Sequence, residues 1–246
     1  MMNGTLNTYL KHRSIRSYKD KMIKKNDLEL VIKSAQAAPS SINGQQVSII
    51  AITDKEKKAT ITELCGNQLW IDEAPVFLLF VADFYRAKLA ADKNNVPFGI
   101  TDGLEASLVA SVDVGLSMGN AIGTAESLGY GTVCIGGARS NPTKMVELLN
   151  LPEYVYPICG LCIGYPKDES TLKPRLPKEA VYHEETYNKE LRPLIDQYDK
   201  TMSAYMKERT NGENDRNWSE GISNFYKTNY SPHTRNEMKK QGFKNE

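Results

Sequence analysis

Residues Asp102–Arg139, DGLEASLVASVDVGLSMGNAIGTAESLGYGTVCIGGAR, decide the fold. They read as one long helix over 103–128, opened by a capping-box-like Asp102-Gly-Leu-Glu105 and ended by Gly129. A strand over Gly131–Ile135 follows at once and runs into Gly136-Gly137. At ~1.5 Å per residue the helix is about 39 Å long, the width of a domain. Leu104, Leu108, Val112, Leu116 and Ile122 form its apolar stripe, while Gly115, Ser117, Gly119, Ala121 and Gly123 leave the other faces nearly bare. The expectation is burial nearly all round, with the small faces inviting another helix, a second chain's among the candidates.

Upstream, residues 5–17 contain a short helical segment that carries the basic run Lys11–Arg16. Asn26 or Asp27 can cap a helix with apolar positions at Leu28, Leu30, Val31, Ile32, Ala35 and Ala38, stopped by Pro39. The turn-rich Pro39–Gln45 leads into a β-branched strand, Val47–Thr53, and a helix follows over about 55–66. The run APVFLLFVA marks a buried strand at 75–82. Downstream, a helix at about 142–149 and a strand at 155–163 complete the core, and Lys173–Pro177 is a rigid extended segment. Helices and strands mix without βαβ alternation, so the fold class is α+β. The core is expected over 1–190. From 191 to 246 the composition turns charged and polar with scattered aromatics, which favours an arm packed over a partner over a flexible tail.

The chain has 246 residues, 40% apolar and 25% charged, with a net charge of +1. That size suits one domain with an extension, and that charge excludes whole-molecule attraction to nucleic acid or to an anionic membrane. Any phosphate must therefore be held by a local cluster. The longest apolar run is far below the ~20 residues that cross a bilayer, and no signal-peptide core opens the chain, so a cytoplasmic setting is expected. Cys65, Cys134, Cys159 and Cys162 are too sparse for a disulfide framework. Cys159 and Cys162 match C-x-x-C, but positions three apart on a strand face opposite sides, so they read as core cysteines and no metal site is expected.

The chain lacks a dinucleotide fingerprint, because Gly129-x-Gly131-x-x-Cys134 fails at its third glycine and precedes a strand. Two basic clusters, His12-Arg13-Ser14-Ile15-Arg16 and Lys173-Pro-Arg175, would cradle a phosphate if the fold brings them together; singly, each also reads as a solvated patch. The loop Ser40–Gln46 offers hydroxyls and amides suited to the edge of a heteroaromatic ring, or is simply a turn. Cys134-Ile135-Gly136-Gly137 ends a strand with bare N–H groups open to a flat ligand, or with a tight turn.

Five segments, HRSIRSY at 12–18, APSSINGQ at 38–45, ESLGYGTVCIGGAR at 126–139, LCIGYP at 161–166 and LKPRLP at 172–177, together resemble the nitroreductase superfamily. The likeness is to the branch of NADPH-preferring oxygen-insensitive nitroreductases and bacterial flavin reductase P, and it covers nearly the whole chain. It implies a three-layer fold with a mostly antiparallel sheet flanked by helices, in an intertwined homodimer with two FMN sites at the interface. It further implies that His12, Lys173 and Arg175 hold the FMN phosphate, with Arg13 and Ser14 beside them, and that Arg16 faces N1 and the C2 carbonyl. Ser40, Ser41 and Asn43 would come from the other subunit, with Gln45 in the same loop. Gln68 would meet the polar ring edge, and Gly136 and Gly137 would offer N–H groups toward N5 and O4 beside Cys134 and Ile135.

A fixed cation at N1 favours flavin reduction on physical grounds, since the added charge settles there. No protein acid–base catalyst is required. The implied activity is a ping-pong, two-electron transfer from NADPH, or NADH, to a small-molecule acceptor such as a nitroaromatic, quinone or free flavin. The alternatives are a disulfide, azo or chromate reductase on the same flavin site, or a flavin-binding module without catalysis. In the NADPH-preferring relatives a C-terminal arginine grips the 2′-phosphate; the matching position here holds Ser231, with Arg209, Arg216 and Arg235 as substitutes.

Overall fold

A computed structural model describes residues 3–168 and 170–246. Its centre is a four-stranded antiparallel sheet, ordered β1-β2-β4-β3, from β1 (Val47–Ile52), β2 (Val76–Asp83), β3 (Gly131–Ile135) and β4 (Val155–Gly164). Every residue of β2 is buried, which explains its unbroken apolar run. Alternate residues feed two cores: Phe77, Leu79 and Val81 one side, Leu78 and Phe80 the other.

The first side is covered by α3 (Lys55–Leu64), the short α4 (Trp70–Glu73) and α7 (Pro142–Leu149), through Ile61, Ile71 and Met145. The second is covered by α2 (Lys25–Gln36) and the long α6 (Glu105–Ser127), through Val31, Ala35, Met118, Ala121 and Ala125. Helices thus flank the sheet on both faces, the expected three-layer α+β arrangement. Cys162 belongs to the first core and Cys159 packs on the second, as their strand spacing requires.

Several expectations need correction. The first helix, α1, spans Gly4–Leu10 and ends before the basic run, which is extended: Ser14 bridges Thr132 in parallel and Ile15 N donates to Thr132 O at 2.9 Å. β3 is an edge strand, and its unpaired groups draw residues 14–15 into extended pairing more strongly than local helix propensity holds them. In α2 the N-cap is Lys24, without a side-chain cap, so the helix starts ahead of Asn26. Glu105 begins α6 behind an uncapped Leu104, while Asp102 sits in a preceding 3-10 turn and pairs with Lys244 at 2.8 Å. The capping box therefore does not form. At the other end the expectation holds: Gly129 has φ +86°, and Tyr130 N returns to Ala125 O, closing the helix in a left-handed cap.

Another helix does pack on the small face of α6, as expected, but the burial is not all round. Ala110, Ser117, Ala121 and Ala125 are buried, whereas Leu104, Leu108, Val112 and Leu116 are 55%, 54%, 61% and 42% exposed. Small side chains let α2 come close enough for Ser117 Oγ to donate to Ala35 O and Asn120 Nδ2 to Ser34 O. The large residues at four-residue spacing are left facing outward in a single chain.

The chain forms two compact units, one of residues up to Ser170 together with His233–Glu246, the other Thr171–Pro232. In the first, Phe243 is fully buried against Phe84 and Tyr156, beyond α10 (Thr234–Lys240). In the second, α8 (Arg192–Arg209) packs on α9 (Trp218–Tyr226) through an edge-on Tyr198–Trp218 contact. Among the described residues no helix is long and apolar enough to cross a membrane.

Candidate active site

The extended segment after α1 lies along the edge of β3, and this sets the site's first row. His12 Nδ1 meets Glu126 Oε1 at 2.7 Å, and Thr132 Oγ1 donates to the same oxygen at 2.8 Å. Four residues beyond His12, the Arg16 guanidinium lies 5.6 Å from the centre of the Trp70 ring. This cation–π contact steadies a side chain that otherwise stands exposed. Ser14 is half-buried in the pairing with β3, and Arg13 lines a cavity of about 290 Å³ with Lys11, Glu126, Tyr130 and Asp168.

A second row comes from the loop between α3 and α4. Gln68 Nε2 donates to Cys65 O at 2.8 Å, and both atoms crowd Gly137: a Cβ there would stand 2.6 Å and 2.5 Å from them. Close packing thus leaves no room for a side chain at Gly137. Gly136 is exposed, with nothing nearer to its would-be Cβ than Arg139 Nη2 at 3.8 Å, and it opens a 3-10 turn whose first N–H groups lack internal partners. Ile135 is fully buried and can offer a ligand only its backbone. Cys134 is exposed on β3; its Sγ lies 3.7 Å from Met118 Sδ, and hydrogen bonding with Cys159 raises its pKa.

The loop Ser40–Gln45 is anchored elsewhere in the chain. Ser41 N donates to Asp113 of α6 at 3.3 Å, Ser40 Oγ accepts from Gln45 N, and Arg86, on α5 (Tyr85–Lys93), donates to Gln45 O. Ile42, Asn43 and Gln45 all have positive φ, and Ile42 is 97% exposed. Such strain in three non-glycine residues points to an imposed shape. None of the loop's anchors is a partner of Arg16 or Gln68.

In the second unit Lys173 and Arg175 are exposed on an extended segment held by Tyr198 Oη on Pro174 O, 2.8 Å. Tyr205 Oη contacts Thr171 Oγ1 and accepts from Arg209 Nη1, so Arg209 braces the residues beside Lys173. Arg216 follows α8 in the connection to α9, its backbone N on Asn214 Oδ1. Arg235, in the first unit, donates to Asn245 O.

Sequence reasoning missed Trp70, Glu126 and Asp113. Two carried a readable signal: Asp113 is a charge inside an apolar helix, and Glu126 is an acid in a helix's last turn, against the macrodipole. Nothing around Trp70 marks it, since its contact with Arg16 spans 54 residues of chain.

The profile described as "Nitroreductase family" matches residues 9–165, and "Nitroreductase family, C-terminal domain" matches 173–246. The chain belongs to the nitroreductase family. An FMN reductase [NAD(P)H] of Bacillus subtilis is 53% identical over 246 residues, 99% of each chain. The structure of B. megaterium NfrA2 superposes with a TM-score of 0.98 at 56% identity, covering 100% of both chains. A Cr(VI) reductase of Pseudomonas sp. is 38% identical, over 94% of this chain and 96% of its own. Nitroreductase-family membership thus agrees with the branch that the five segments suggested.

Proposed function

We propose that this chain is an NAD(P)H-dependent FMN oxidoreductase that works as a homodimer. The observation that carries this reading is the row along β3: a braced cation at Arg16, an amide at Gln68, and the open backbone of Gly136. A flavin's polar edge needs such a set, a permanent positive charge facing N1 and donors facing the ring's other heteroatoms. The residues present fit FMN.

Arg16 would hold the N1 and C2 carbonyl edge, Gln68 the pyrimidine edge, and the Gly136 and Gly137 N–H groups the N5 and O4 side. His12 would hold the phosphate, with Arg13 and Ser14 beside it, and Lys173 and Arg175 are further proposed phosphate ligands. FMN, when bound, supplies two-electron chemistry that no side chain here performs. The protein's part is to bind, orient and stabilise negative charge at N1, with no acid–base catalyst.

The homodimer is supported by the outward stripe Leu104, Leu108, Val112 and Leu116, which leaves large apolar side chains in water along about 18 Å of α6. The strained loop carrying Ser40, Ser41, Asn43 and Gln45 is tied to that same helix at Asp113, so a second copy docked on the stripe would receive it. Arg209, Arg216 and Arg235 are proposed contacts for NADPH, and the serine at 231 supports use of both NADPH and NADH. Nitroaromatics, quinones and free flavin are the proposed acceptors. Chromate is a further candidate, favoured by the Cr(VI) reductase relative.

The deciding experiment is anaerobic stopped flow on purified protein with NADPH and NADH side by side. The protein should be yellow with FMN and should bleach with both. Yellow protein that stays unbleached would leave a flavin-binding module; colourless protein that takes up no FMN would end the proposal.

A further inference from the structure

Glu126 stands where local physics disfavours it. It lies in the last turn of α6, where a negative charge opposes the macrodipole, and its side chain is only 13% exposed. Departures from local rules concentrate at functional sites. Its Oε1 takes hydrogen bonds from His12 Nδ1 and from the fully buried Thr132, whose own backbone pairs with residues 14–15. The carboxylate thus ties the end of α6 to both β3 and the basic strand.

We propose that Glu126 is a positioning residue for the phosphate end of the flavin site, holding His12 so that it presents a protonated Nε2. This rests on the reading above that His12 meets the FMN phosphate. With Nδ1–H given to the carboxylate, a neutral ring carries a lone pair on Nε2 and repels an anion. Only the imidazolium donates from both nitrogens, and a carboxylate on Nδ1 favours that form. Acting directly, Glu126 would repel a phosphate; acting through His12, it strengthens phosphate binding. The two effects have opposite signs, so an experiment can separate them.

The test measures dissociation constants of FMN and riboflavin for the full-length apoprotein as wild type, Glu126→Gln, His12→Gln and the double variant. Glutamine keeps the shape and the acceptor oxygen and removes the charge. Glu126→Gln should weaken FMN about tenfold, the scale of one charge-assisted hydrogen bond, and leave riboflavin, which has no phosphate, unchanged. In the His12→Gln background the same change should cost nothing further. Equal weakening of both ligands would make Glu126 merely structural, and unchanged or tighter FMN binding would overturn the proposal outright. If His12→Gln weakens FMN while Glu126→Gln does not, only the role of Glu126 falls. If the wild type binds FMN no better than riboflavin, the phosphate reading falls with it.

Discussion

Arg16 and Trp70 form the pair on which the proposed chemistry turns, because a guanidinium stacked on a ring keeps one orientation without a carboxylate that would cancel its charge. Arg16→Ala should raise the FMN dissociation constant about tenfold or more and lower the bound flavin's two-electron potential by about 30 mV or more, measured by dye-coupled titration. An unchanged potential would remove Arg16 from the N1 edge. The thiols behave differently. Burial pushes Cys65 up from 9.0 to about 12, and burial likewise raises Cys162. Thiolate is the reactive form, so Cys162→Ala should leave turnover nearly intact. The raised pKa of Cys65 also carries a stability consequence. Its folded-state value lies above the unfolded one, so the contribution is fully present below pH 9 and is lost as pH rises toward 12. Between pH 9 and 10.5 the stability measured by urea titration should fall more steeply in the wild type than in Cys65→Ala, by up to about 1.4 kcal/mol per pH unit.

Among the elements, α4 shows how a four-residue helix too short to stand alone can carry a site residue. Lys58 reaches it from α3, 4% exposed, its Nζ donating to Asp72 O at 2.8 Å and to Ala74 O at 2.5 Å. The ammonium satisfies carbonyls that the helix end leaves open, and burial lowers its pKa. Lys58→Met would relieve the desolvation but strand both acceptors, and the second effect should win by about 1–3 kcal/mol. Calorimetry should show a melting temperature several degrees lower, with a weaker hold on flavin because Trp70 and Gln68 flank this turn. Undiminished stability would show that the cap contributes nothing. The longest element makes the converse point: α6 buries its small residues inside the chain and turns its large ones outward.

At the scale of the whole molecule, the outward stripe of α6 and the remote anchoring of the Ser40–Gln45 loop are the two features that support the proposed second copy. Leu108→Glu places a carboxylate in the middle of the outward stripe, where docking would bury it unpaired. Light scattering should then report about half the wild-type mass, and the monomer should release FMN, because the loop proposed to complete the site would be missing. A variant that stays dimeric would move the interface elsewhere. In the C-terminal part, Tyr198 and Phe243 are buried in their respective units.

The sequence by itself determined the α+β class, the four strands and the helices α2, α3, α6 and α7 within a few residues, the glycine stop of α6 and the segments that carry the family likeness. These are properties of local spacing: apolar periodicity, a left-handed cap, and residue types that tolerate only some backbones. Tertiary structure alone decided which face of α6 is buried, that His12–Arg16 is extended along an edge strand, and that Gly137 is glycine because of Cys65 and Gln68. It also decided that Trp70 and Glu126 stand behind Arg16 and His12. Each depends on partners tens of residues away, whose competing claims on one side chain or one unpaired backbone group are settled only when the layers pack.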